Sequence, residues 1–129
     1  MSQRLRFAIY HLPFAIALAS CGSAASSTPT TPTPSNPYTF TITSAGVSPK
    51  SYTVPPGTRV LFVNNDSSDH YMASDPHPDH TDCPEINAAG LLKTGQSRET
   101  GNLNVVRTCG FHDHDRPDNT SLKGSIIIR

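Results

Sequence analysis

Tryptophan is absent from this 129-residue chain, aromatic residues make up only 7% of it, and charged residues 16%. Helical periodicity is also missing after Cys21, and 12 prolines interrupt helices and interior sheet ladders alike. These gaps exclude a helical bundle and leave a small, loop-rich β-domain. Basic charge is not in excess. Ten Lys and Arg balance ten Asp and Glu, and Arg4 and Arg6 fall within the first 20 residues, so the remainder holds eight basic and ten acidic groups. Nucleic acid, which demands a basic surface, is excluded as a partner. No internal repeat is evident, and the one long apolar run, Phe7 to Ala19, is too short to span a bilayer as a permanent helix.

That run, behind the basic start at Arg4 and Arg6, is expected to be an export signal over residues 1–20. It ends in Leu18-Ala19-Ser20-Cys21, which resembles the bacterial lipobox, where small residues precede a cysteine that is acylated and becomes the new N-terminus. Lipid on Cys21 would tether the protein to a membrane without spanning it, in the periplasm or at the cell surface. Such a compartment is oxidising. Residues 21–37 carry the anchor cysteine and a Ser, Thr, Ala and Pro stretch that cannot bury apolar surface, a semi-rigid stalk.

The folded domain is expected over residues 38–129. Tyr38 to Thr43 alternates large apolar residues with Thr, the pattern of a half-buried strand. Ser51 to Val54 is a second strand, closed by the turn Pro55-Pro56-Gly57. Thr58 to Asn65 is the strongest, Leu91-Leu92 is short, Leu103 and Val105-Val106 lead into Cys109, and Gly124 to Arg129 is β-branched. Several short strands with turns between them predict a sandwich or barrel. Between Asp66 and Gly90 the strand pattern collapses into a long polar loop, and such loops in compact domains are usually functional or disordered.

The chemistry is segregated into two windows. Beyond the export signal the histidines are His70, His77, His80, His112 and His114, and the cysteines beyond Cys21 are Cys83 and Cys109. Nine of the ten carboxylates lie in the same windows, only Glu99 falling elsewhere. Imidazole and thiolate suit soft and borderline metals, and carboxylates orient imidazoles. Cys109-Gly110-Phe111-His112-Asp113-His114 follows a strand and reads as a turn with a thiol and an imidazole three residues apart, close enough for one ion. His77-Pro78-Asp79-His80 has no strand to hold it, so a solvated turn is expected there rather than a second metal-loading site.

From Tyr38 onward the chain resembles the cupredoxins. The resemblance rests on the order Val54-Pro55-Pro56-Gly57-Thr58 to Asn64-Asn65-Asp66, His70, Leu92-Lys93-Thr94-Gly95-Gln96-Ser97, Cys109-Gly110-Phe111-His112 and Gly124 to Ile128. It implies an all-β Greek-key β-sandwich holding copper between His70, Cys109 and His112. It also implies single-electron transfer, with a redox protein or copper-handling partner. The Met that usually follows the loop His as an axial ligand is lacking; Asp113, His114, Asp115, Arg116 and Pro117 stand there, so His114, a carboxylate, a carbonyl or water would fill that position.

Cys83 leaves an alternative open. In an oxidising compartment two cysteines of one small domain readily pair. A Cys83–Cys109 disulfide would close a loop of about 25 residues, stabilise by a few kcal/mol, and remove the thiolate. Copper would then rest on His70, His112, His114 and His77 or His80. A tethered electron carrier is the first expectation, and copper delivery or buffering through an all-His site is the second. An enzyme ranks last, because no separate acid–base constellation is legible. By ligand type alone, zinc would serve equally.

Overall fold

Thr39–Thr43 (β1) buries Phe40 and Ile42 on one face and turns its threonines the other way. A computed structural model describes residues 35–129. The expected export signal, Cys21 and most of the 21–37 stalk lie outside the described residues. The other strands are β2 (Gly46–Ser48), β3 (Ser51–Val54), β4 (Leu61–Asn64), β5 (His70–Ser74), β6 (Gly90–Leu92), β7 (Ser97–Glu99), β8 (Arg107–Asp113) and β9 (Gly124–Ile128). They form two sheets, β2-β1-β4-β7 and β3-β9-β8-β5-β6. β1 runs parallel to β4, and β3 parallel to β9; every other pair is antiparallel. This is the expected Greek-key β-sandwich. Among the described residues, no helix is long and apolar enough to cross a membrane.

Phe40, Phe62 and Phe111, one each from β1, β4 and β8, meet with ring centroids 4.8 to 5.3 Å apart and join the two sheets. Ile42, Met72, Leu92, Leu103, Ile126 and Ile128 complete the core. Each such side chain, fully removed from water, contributes about 1.5–3 kcal/mol. At one end Asn64 sews the sheets together. Its amide donates to the Ser68 and Leu92 carbonyls, and its oxygen accepts from the Asp66 N–H.

Two of the differences from expectation bear on the site. β5 lies inside the stretch read as a long polar loop. Its alternation was hidden because two of its three inward residues, His70 and Ser74, are polar. β8 does not stop at Cys109; it continues to Asp113, so Cys109-x-x-His112 lies within a strand and not on a turn.

Candidate metal centre

Strand geometry decides which side chains of β8 can meet. Successive residues of a strand face opposite sides, so positions 109, 111 and 113 share one face and 108, 110 and 112 the other. Cys109, Phe111 and Asp113 turn into the sandwich, and His112 turns outward. Cys109 is joined to Cys83 in a buried disulfide with a Cα separation of 5.7 Å. The thiolate expected as a ligand is therefore not free, and an odd spacing of three within a strand sets it on the opposite face from His112.

His70 is displaced as well. β5 and β8 are in register with Met72 opposite Asp113 and Ser74 opposite Phe111. Continuing that register puts His70 level with Asp115, six residues from Cys109 and about 20 Å away along the strands. Its ring is inside the sandwich and almost fully buried. Nδ1 lies 2.8 Å from Asp113 Oδ2 and Nε2 3.0 Å from Asp66 Oδ2, so a carboxyl group engages each ring nitrogen. Asp113, wholly buried, also accepts from the Tyr71 and Asp115 N–H groups. The His70 hydrogen bond, more than the Ser67 N–H, holds the Asp66 carboxyl below its ordinary value of 3.8. Both nitrogens of His70 are thus taken up by carboxyl groups. The expected trio of His70, Cys109 and His112 is not assembled.

A different set converges on the outer face. After β5 the chain turns back across β8: the Asp75 N–H donates to the Gly110 carbonyl at 3.0 Å, and Asp82 N–H donates to the Asp75 carbonyl at 2.9 Å. Gly110 makes this crossing possible, because a Cβ there would collide with the Asp75 carboxylate. Asp75 Oδ1 accepts from His112 Nδ1 at 2.6 Å, which fixes the tautomer and leaves Nε2 of His112 with its lone pair. That Nε2 is buried and has no hydrogen-bond partner.

Around it stand His77, His80 and His114. His80 occupies a left-handed backbone conformation at φ 54°, unusual for a residue other than Gly. Its Nδ1 donates to the Ser74 carbonyl at 2.8 Å, and its carbonyl accepts from the Asn87 amide. His80 Nε2 then faces His114 Nδ1 at 2.8 Å. His112 and His114, two apart, share a face of the chain, as the alternation requires. Ring centroids among the four lie 4.9 to 5.6 Å apart. One nitrogen from each of His77, His80 and His112 falls within 4.8 Å of the other two. Crowding by the other rings removes water from His77 and, with the charges of His114, His112 and His80, pushes its pKa below the ordinary 6.5; Asp118 opposes the shift. Neutral imidazole is the ligating form.

The outer face thus brings together His112 and His114 from the expected set with both His77 and His80, which the first reading left to solvent and of which the all-His alternative named one. Nothing periodic in the sequence marks these two; the loop that follows β5 carries them back across β8. The buried, unpartnered His112 nitrogen has the rings of His77 and His80 beside it, and a set of imidazole donors fits copper or zinc.

Neither a protein-family model nor a curated protein matches the chain. Solved structures do. A purple cupredoxin from Nitrosopumilus maritimus is 19% identical, with a TM-score of 0.55 over 70% of this chain and 98% of that one. Oxidised plastocyanin from Dryopteris crassirhizoma is also 19% identical, with a TM-score of 0.55 over 70% of this chain and 99% of that one. A mutant of amicyanin with Cu(I) is 14% identical, with a TM-score of 0.55 over 70% of this chain and 80% of that one. The described domain has the cupredoxin fold.

Proposed function

We propose that this chain is an exported, membrane-tethered copper-binding protein. Its ion is held by His77, His80, His112 and His114, and its task is copper holding and delivery. The observation that carries the reading is the buried Nε2 of His112, free of any hydrogen bond, with the rings of His77 and His80 centred 5.5 and 5.1 Å from its own. A nitrogen-only set without thiolate prefers Cu(II) among first-row divalent ions, by the general order of their affinities. Copper would supply a one-electron couple. The residues of the chain do the rest. Asp75 holds His112 in one tautomer, the Ser74 carbonyl does the same for His80, and Gly110 lets the loop lie close enough to bring them together.

The Cys83–Cys109 disulfide supports export, since such bonds persist in oxidising compartments. In this reading residues 1–20 direct export, lipid on Cys21 provides the tether, 21–37 form a stalk, and 38–129 carry the copper.

Titration of the apo protein with Cu(II), followed by electron paramagnetic resonance, tests the reading. One equivalent bound with nitrogen hyperfine structure, no intense thiolate-to-copper band, and retention of the ion against equimolar Zn(II) are expected. Failure to bind one equivalent contradicts it. The shared fold with plastocyanin favours a second reading, electron transfer at this same site. Fast self-exchange between Cu(I) and Cu(II) forms would select that one; slow exchange selects delivery.

A further inference from the structure

We propose that His77 is the exchangeable ligand of this site, the imidazole through which a copper ion enters and leaves. The inference rests on the copper reading above and concerns how the four imidazoles differ. Two are held at Nδ1, the nitrogen turned away from the ion: Asp75 fixes His112 and the Ser74 carbonyl fixes His80. His80 Nε2 lies 2.8 Å from His114 Nδ1, a contact that an ion on His80 would replace. His114 is also placed by its own backbone N–H, which donates to the Tyr71 carbonyl at 2.7 Å. His77 has no hydrogen bond to either ring nitrogen among the described residues. It touches the others only through ring packing, with centroids 5.0 to 5.6 Å away.

Burial follows the same order. His112 is sealed, His80 and His114 are half-buried, and His77 is exposed. Its backbone is flanked by Pro76 and Pro78, whose rings fix φ on both sides, so freedom at this position resides in the side chain. A side-chain rotation of His77 opens the site to water without moving the loop, whereas turning His112 or His80 out of it costs a hydrogen bond at Nδ1. Rotamer exchange of an exposed side chain is far faster than loop rearrangement.

Transfer would then be a ligand exchange. The bond from copper to the His77 nitrogen would break first, and an incoming nitrogen or sulfur donor would take its place, with no change in oxidation number. The acceptor is defined by that chemistry, a partner or small molecule offering an imidazole, amine or thiolate at the open edge. His80 and His114 would be displaced next and His112 last.

The test loads wild type, His77→Ala and His112→Ala with one equivalent of Cu(II) and mixes each with excess free L-histidine as acceptor. The wild-type transfer rate is expected to reach a plateau as histidine rises, because release of His77 becomes limiting. His77→Ala should still retain one Cu(II) but transfer it about tenfold faster, with no plateau, while His112→Ala should retain none. Transfer from His77→Ala at the wild-type rate, or loss of binding as complete as in His112→Ala, overturns the inference while leaving the copper site standing. Absence of stoichiometric Cu(II) in wild type removes the copper reading itself. A second measurement needs no metal. Side-chain scalar couplings of the apo protein should show His77 averaging among rotamers and His80 and His112 fixed. A single rotamer for His77 overturns the proposal.

Discussion

The two faces of β8 bury histidine in opposite ways. On the inner face, His70 is enclosed with both nitrogens satisfied by carboxylates, one of them wholly buried. On the outer face, His112 is buried just as deeply with one nitrogen satisfied and the other left open. A buried polar atom without a partner costs about 1–3 kcal/mol, so each one that a fold keeps calls for a reason. The inner imidazole is tied off by two carboxyl groups. The outer one keeps a nitrogen open. Burial and residue type do not separate them; the count of satisfied nitrogens does.

That contrast breaks most decisively at His112. His112→Ala is expected to abolish stoichiometric Cu(II) binding while leaving the sandwich folded, read by metal titration alongside far-ultraviolet circular dichroism. His70→Ala should do the reverse. Removing the imidazole strands the Asp113 carboxyl group in the interior without its partner, which destabilises by roughly 3–5 kcal/mol. The folded fraction should still bind one Cu(II), and chemical denaturation with and without metal measures both effects. Loss of copper binding in His70→Ala without loss of stability would erase the distinction between the faces.

Much of the fold was legible before the structure. β1 and β3 alternate apolar with polar residues, β4 is an apolar run and β9 ends in three isoleucines, and each formed within its expected stretch, β4 starting at Leu61 and not at Thr58. The site was legible only in part. Cys109-x-x-His112 suggested one ion because a turn was assumed; once the segment is a strand, period-2 alternation separates the two residues. Whether a segment is turn or strand depends on pairing with β5, and β5 was itself concealed by the inward polar residues His70 and Ser74. The disulfide was one of two open alternatives, because spacing alone does not reveal whether two cysteines face each other. His77 and His80 carry no periodic signal, and only the crossing of their loop over Gly110 makes them neighbours of His112.

A smaller effect sharpens the outer face. Asp75→Asn keeps the shape but loses the carboxylate that fixes the His112 tautomer, and Cu(II) affinity should fall about tenfold with stoichiometry unchanged. Competition against a chelator of known affinity reads the change, and an unaltered affinity would mean the Asp75 bond has no part in the site. The smallest effect belongs to the inner face. Because the Asp66 carboxyl is held below its ordinary 3.8, the stability it adds is present above that pH and is lost as pH falls through the lowered value. Asp66→Asn should therefore flatten the acid limb of the pH–stability curve of the apo protein below about pH 4.

The central claim is that copper here meets imidazole nitrogen alone, with the sulfur of Cys109 locked away from it. X-ray absorption at the copper edge of the Cu(II)-loaded protein tests this most directly. A first shell of nitrogen scatterers with the multiple-scattering pattern of several imidazoles is the result predicted; a short copper–sulfur scatterer would contradict it.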